Sequence, residues 1–182
     1  RYLPNGTIDT SFGNAGIAMI PIGTHDDIAF SGLLQPDGKI VVSGDVFNGT
    51  DYDFGIIRLL TDGSLDTSFG GGDGKVIYQL GTSSDYIRSS LLQPDGKIIV
   101  VGLSLGPING YSPGLVRMNS DGSPDNSFGT SGMVITEIGP YNDYGWASCL
   151  QTDGKIVIAG KTNNGTNDDV MVMRYNIDGS LD

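Results

Sequence analysis

The chain has 182 residues, with 21 acidic against 10 basic, a net charge of −11, 38% hydrophobic residues and a mean hydropathy of −0.06. That is enough for one domain with a real core, and a surface of this sign repels phosphate backbones and anionic lipid heads, which excludes nucleic-acid binding. No apolar run reaches the ~18 residues that a spanning helix needs, so membrane insertion is not expected.

Twenty of the acidic residues are Asp and one, Glu137, is Glu. Asp favours turns and caps where Glu favours helix interiors, so the bias points to a turn-rich, all-β chain. The single cysteine, Cys149, excludes an internal disulfide framework and a thiolate metal cluster. It aligns with Leu33 and Leu91 of the other copies and is expected to be a small buried hydrophobe. The chain starts at Arg1 without a Met or a leader-like stretch, so any export signal is expected upstream or removed.

Three landmarks repeat along the chain. Ile8–Gly13 returns as Leu65–Gly70 and as Pro124–Gly129. Leu34-Gln35-Pro36-Asp37-Gly38-Lys39-Ile40 returns from Leu92 and from Leu150, 58 residues apart each time. A basic residue closes an apolar run at Arg1, Arg58, Arg117 and Arg174, spaced 57, 59 and 57. Each copy holds four predicted strands, in the second copy near Lys75–Leu80, Tyr86–Gln93, Lys97–Ser104 and Pro113–Asn119. Pro-Asp-Gly between the second and third is a hairpin turn, because Pro presets φ and Gly takes the positive φ that closes the loop.

Ile98–Val101 and Ile156–Ala159 are apolar at successive positions, so both faces of that strand are buried. Stacked blades of a β-propeller provide this, whereas the tight antiparallel hairpins argue against a β-solenoid. The expected architecture is an all-β propeller of four-stranded antiparallel blades. Three lie in this chain, near 14–60, 73–119 and 131–176, with partial connections at 1–13 and 177–182. A propeller usually needs about four to eight blades. Neighbouring blades of a longer chain or self-association would supply the rest, two copies making a six-bladed ring.

The segments Leu34–Gly44, Asp53–Arg58 and Asp62–Gly70 resemble the delta-60 β-propeller repeats of bacterial proteins, and the resemblance extends over the whole chain in three copies. Copy two departs from Pro107 to Pro113, and copy three has Thr152 for Pro. The resemblance implies a secreted or cell-surface protein with a display or adhesion role and no catalytic residues.

Residues fixed in every repeat read as structural. Arg1, Arg58 and Arg117 are expected to pair with Asp9, Asp66 and Asp125, with the stems of Lys39, Lys97 and Lys155 over apolar surface. Phe12, Phe69 and Phe128 should wedge between blades. Calcium is the candidate cation. The loop with Asp45, Asn48, Thr50, Asp51 and Asp53 gathers hard oxygen donors, as does its counterpart with Asn163, Asn164, Thr166, Asp168 and Asp169. Copy two offers Asn109 and Ser112 there. His25 has no repeated partner.

Function on a repeated scaffold sits where the copies differ. Phe30, Arg88 and Trp146 align on the second strand, with Tyr86 and Tyr144 two positions earlier, and form the candidate ligand-binding set. The reading is a non-enzymatic binding module for a glycan or protein partner. A propeller-based polysaccharide-processing enzyme and a purely structural spacer are the alternatives.

Overall fold

A computed structural model describes residues 1–105 and 110–182; Pro107 and Asn109 lie outside the described residues. The described residues form eleven strands and no helix. The first sheet runs in the order β1 (Asp27–Leu34), β2 (Ile40–Phe47), β3 (Tyr52–Leu59), β4 (Lys75–Tyr78). The second repeats it with β5 (Asp85–Leu92), β6 (Ile98–Leu105), β7 (Tyr111–Met118) and β8 (Met133–Ile135). The third has three strands, β9 (Asp143–Leu150), β10 (Ile156–Asn163) and β11 (Asp168–Tyr175). Every pairing is antiparallel.

The hairpin turns form as the Pro-Asp-Gly motif requires. Gln35 N–H donates to the Lys39 carbonyl at 2.8 Å and Gly38 N–H to the Gln35 carbonyl at 2.9 Å. Gly38 sits at φ +83°, a region that costs a residue with a Cβ but not glycine.

The hydrogen-bonded sheets are phased one strand later than the sequence intervals 14–60, 73–119 and 131–176. Lys75–Tyr78 pairs with β3 of the preceding copy through Phe54↔Tyr78, Gly55↔Ile77, Ile56↔Val76 and Ile57↔Lys75. The cause is the connection after β3. Leu59 bridges Leu65, and Arg58 N–H donates to the Gly74 carbonyl, so the chain returns along the free edge of β3.

The sheets meet at their first strands, β1 against β5 and β5 against β9, in the radial arrangement of propeller blades. The inner strands are stitched by hydroxyls: Ser31 to Ser90 at 2.6 Å and Ser89 to Ser148 at 2.8 Å. Small residues there allow the blades to converge. One core lies between the first two sheets, around Phe54, Ile56, Phe69, Ile87 and Val100. The next lies between the second and third, around Ile99, Val101, Leu115, Phe128 and Ile158. β6 feeds both, with Ile98 and Val100 on one face and Ile99 and Val101 on the other, all fully buried.

The repeat-fixed charges are the rivets between copies. Arg58 Nε donates to Asp66 at 2.8 Å and Arg117 Nε to Asp125 at 2.7 Å, while Lys39 and Lys97 reach the same carboxylates at 3.0 Å. Each guanidinium lies over a wedge ring, 4.7 Å from Phe69 and 4.5 Å from Phe128. Burial raises the pKa of Asp66 and Asp125, but hydrogen bonds from Ser68 and Ser127, from the lysines and the Arg charges more than offset it, leaving both well below the usual carboxylate range.

Cys149 is exposed, against the sequence expectation. Its counterpart Leu91 packs towards the third sheet, whereas Cys149 lies on the face of the third sheet that no other sheet covers among the described residues.

Candidate ligand-binding site at the inner-strand bulges

Each inner strand carries the same irregularity. Pairing between β1 and β2 passes from Ala29↔Gly44 to Ser31↔Ser43 and leaves Phe30 without a partner. Between β5 and β6 it passes from Ile87↔Gly102 to Ser89↔Val101, leaving Arg88. Between β9 and β10 it passes from Gly145↔Gly160 to Ala147↔Ala159, leaving Trp146. A bulge of this kind bends the strand and re-aims the extra side chain. The three residues at which the copies differ most are thus the three that the fold turns out of the ladder.

Beneath each bulge stands a glycine, at positions 44, 102 and 160. A Cβ on any of them would collide with the carbonyl oxygen of Ile28, Tyr86 or Tyr144 respectively. This explains the glycine that ends the segment Leu34–Gly44 and its counterparts in the other copies: the bulged backbone lies against the glycine Cα.

Around the bulges an aromatic row crosses all three sheets at one end of the strands. Centroids are 5.4 Å apart for His25–Phe47, 5.1 Å for Phe47–Tyr52 and 5.6 Å for Tyr52–Tyr86. They continue at 5.9 Å for Tyr86–Tyr111, 5.8 Å for Tyr111–Tyr144 and 6.1 Å for Tyr144–Trp146. All are tilted or edge-on, the favourable geometries for ring quadrupoles. Tyr86 and Tyr144 therefore join Trp146 as the sequence suggested, while Tyr52, Tyr111 and Phe47 are additions. Tyr52 and Tyr111 open equivalent strands, β3 and β7, and that alignment was a readable signal. The rings of the row between His25 and Trp146 are half-buried; Phe30 and Trp146 are 48% and 49% exposed and offer the open faces.

Three of the ten basic residues are not fixed by the repeat: Lys75, Arg88 and Lys161. Two of them border this row. The Arg88 guanidinium is 5.2 Å from the Phe30 ring and 5.6 Å from Tyr86. Lys161 Nζ is 4.9 Å from Tyr144 and 6.0 Å from Trp146. Cations over ring faces at these distances are attracted by the quadrupole. In a chain of net charge −11, this places cations beside open aromatic faces.

Asp45 is one of the buried carboxylates beside the row, with Asp53, Asp85 and Asp143. Its Oδ1 accepts the Ile87 N–H at 2.6 Å, and its Oδ2 is 3.8 Å from Arg88 Nη1. Burial pushes its pKa up to about 6, against the lowering by the Ile87 amide and Arg88. A folded-state value above the unfolded one contributes stability that is complete below the unfolded value near pH 4 and lost as pH rises through about 6. Asp45→Asn keeps the acceptor for Ile87 N–H. Its stability relative to the wild type should therefore rise between pH 4 and 7, by about 2 kcal/mol. Thermal unfolding of both proteins across that range would measure the gap; a pH-independent gap would refute this role.

The oxygen-rich loops are closed on themselves. Asn48 Nδ2 donates to Asp51 at 2.5 Å and to Asp53 at 2.8 Å. Asn164 Nδ2 donates to Asp169 at 2.8 Å, and Asp168 accepts from Asn163 at 2.7 Å and from Lys161. Asp45 is turned away towards Ile87. Among the described residues no three His, Cys, Asp or Glu side chains converge in a way that could hold a metal ion.

Sheets arranged radially, with variable side chains bulged from their inner strands, define a β-propeller repeat protein. The family described as a domain of unknown function (DUF5122) beta-propeller matches residues 35–69, 93–128 and 151–182, and the chain belongs to that family. None of the curated proteins matches the chain. Among solved structures it is similar to an endo-arabinase from Bacteroides thetaiotaomicron, at 15% identity and a TM-score of 0.43. That alignment covers 82% of this chain and 56% of the arabinase, so the chain spans little more than half of its length.

Proposed function

We propose that the chain is a non-enzymatic, glycan-binding propeller module, seating its ligand on Phe30, Arg88 and Trp146 with Tyr86 and Tyr144 beside them. The observation that carries this reading is the bulge: at one step in three successive inner strands it turns out the residue that varies between copies. A sugar ring has an apolar C–H face and polar edges. Half-exposed rings bordered by Arg88 and Lys161 suit both, as do ligand sites generally, with aromatic walls and a few placed polar groups. Binding without turnover rests on the resemblance to repeats that carry no catalytic residues; Asp45 is committed to the Ile87 amide and Asp168 to Lys161 and Asn163. The finer assignment to delta-60 repeats rests on the Leu34–Gly44 and Asp62–Gly70 motifs, and with it goes placement of the protein outside the cell or on its surface.

Affinity electrophoresis through gels containing neutral or acidic polysaccharides tests this reading. The wild type should be retarded by at least one of them. Trp146→Ala should lose about 2 kcal/mol of binding, roughly thirtyfold, as truncation of an aromatic anchor does. Because Trp146 is half-exposed, the variant should keep its fold. Unretarded migration in every gel would point instead to a protein partner or a spacer.

A further inference from the structure

The start of β3 meets the start of β5 where the first two sheets join. Tyr52 N–H donates to Ser84 Oγ at 3.3 Å, and the Tyr52 and Tyr86 rings are 5.6 Å apart. Next to these residues stand two carboxylates, Asp53 on β3 and Asp85 on β5, 5% and 0% exposed. Neither has a Lys or Arg partner among the described residues. Asp53 Oδ2 accepts from Asn48, and Asp85 Oδ2 accepts the N–H groups of Leu80 at 2.7 Å and Gly81 at 3.3 Å. Oδ1 of each carboxylate is buried without a hydrogen-bond partner among the described residues. Burial raises the pKa of both, and the Asp53 charge raises that of Asp85 further.

Two uncharged oxygens complete the group. Ser104, opposite Asp85 in the ladder of β5 with β6, is fully buried, and its Oγ has no hydrogen-bond partner among the described residues. It lies beside Asp85 closely enough to lower that pKa, without hydrogen-bond geometry. At Gly81 a Cβ would stand 2.6 Å from Ser104 Oγ, 2.9 Å from the Leu105 carbonyl oxygen and 3.5 Å from Asp85 Oδ1. Three oxygens thus surround one point that the glycine leaves clear. A buried carboxylate ordinarily takes a countercharge, and here two lie together with none among the described side chains.

The next joint shows the same frame without the second charge. Ser112 stands at the strand position of Asp53, and Asp143 at that of Asp85. Thr162, at the position of Ser104, donates to Asp143 Oδ1 at 2.5 Å, leaving Oδ2 unpartnered among the described residues. The second carboxylate and the undirected hydroxyl coincide at the first joint and not at this one.

We propose that the joint between the first and second sheets binds one calcium ion, through Oδ1 of Asp53 and of Asp85, Ser104 Oγ and the Leu105 carbonyl. The two carboxylates cancel the charge of a dication. The set is wholly hard oxygen and mixes side chain with main chain, which suits the adaptable sphere of calcium, whereas magnesium demands near-ideal octahedral geometry. It holds two acidic side chains rather than three, with uncharged oxygens and water supplying the rest. The ion ties β3 to β5 beside the Tyr52–Tyr86 contact.

Calorimetric titration of calcium into protein freed of metal by a chelator tests the proposal, with the unfolding temperature as a second readout. A single ion should bind per chain, with a dissociation constant of roughly 0.1–1 mM, the weak end of the calcium range, where charged ligands are few. Asp53→Ser copies the second joint, so the variant should keep its fold and bind calcium at least tenfold more weakly. Asp85→Asn keeps an acceptor for the amides of Leu80 and Gly81 and should weaken binding as much. Asp51→Asn, in the neighbouring oxygen-rich loop, should leave the affinity near that of the wild type. Neither heat nor a rise in unfolding temperature at calcium well above that range would overturn the proposal, as would binding that Asp53→Ser and Asp85→Asn leave unchanged. An equal loss in Asp51→Asn and Asp53→Ser would also overturn it, placing the ion in the loop instead.

Discussion

Arg117→Ala is expected to lower the unfolding free energy by about 3–5 kcal/mol, the range for breaking a buried ion pair from one side. The Arg117 side chain is 3% exposed and holds Asp125 at 2.7 Å, Ser127 Oγ at 3.1 Å and the Ile177 carbonyl of the following copy. Its removal strips the stacking partner from Phe128 and leaves a desolvated carboxylate with Lys97 as its remaining cation. Lys97 keeps the charge partly compensated, which favours the lower end of the range. Arg1 makes the same contacts at a side-chain exposure of 38%, where water screens the pair, so Arg1→Ala should change stability little. Urea unfolding of the two variants compares them directly. Equal, small losses would show that the repeat-fixed arginines are surface decoration.

Gly102→Ala is the second change with a large expected effect. A Cβ at this position would collide with the Tyr86 carbonyl oxygen and would stand 2.7 Å from Cζ of Phe54. The ring could move, but the carbonyl belongs to the bulge backbone and could not without changing the pairing of β5 with β6. Overpacking of this kind costs about 1–3 kcal/mol, and more where the backbone must shift. The same shift would displace Arg88 and weaken ligand binding. Gly32→Ala is the matched control: it lies on an inner strand with nothing within 4 Å of its would-be Cβ. Replacing a strand glycine there should gain about 0.5 kcal/mol. If the two substitutions behave alike, the bulge does not depend on the glycine beneath it.

The fold was legible because its signals are local. Pro-Asp-Gly turns, the doubly apolar run at Ile98–Val101 and the constant spacing of Arg58 and Arg117 each specify antiparallel, stacked blades. What the sequence could not show was which sheet Lys75–Tyr78 would join. That depends on the path of residues 60–74 back along β3, a tertiary matter with no residue pattern of its own. Cys149 was misread for a related reason: its alignment with Leu91 was sound, but burial depends on a neighbouring sheet, and among the described residues none lies against that face of the third blade.

The candidate site was half legible. Disagreement among the copies singled out Phe30, Arg88 and Trp146, yet nothing in their identity announced a bulge. The trace of it lay across the ladder, in glycines 44, 102 and 160. Tyr52 and Tyr111 looked like ordinary strand residues, and their contacts with Tyr86 and Tyr144 arise between blades. In the oxygen-rich loops the sequence does not reveal that Asn48 and Asn164 turn their amides onto the carboxylates.

The central claim, that residues bulged from different blades act in one site, is tested most directly by the fluorescence of Trp146, the single tryptophan of the chain. The protein and its Arg88→Ala variant would be titrated with the oligosaccharide of whichever polysaccharide retards the wild type. Arg88 lies on the second sheet and Trp146 on the third. A saturable spectral change in the wild type, weakened at least tenfold by Arg88→Ala, is the predicted result. A change at Trp146 with the same affinity in both proteins would contradict it.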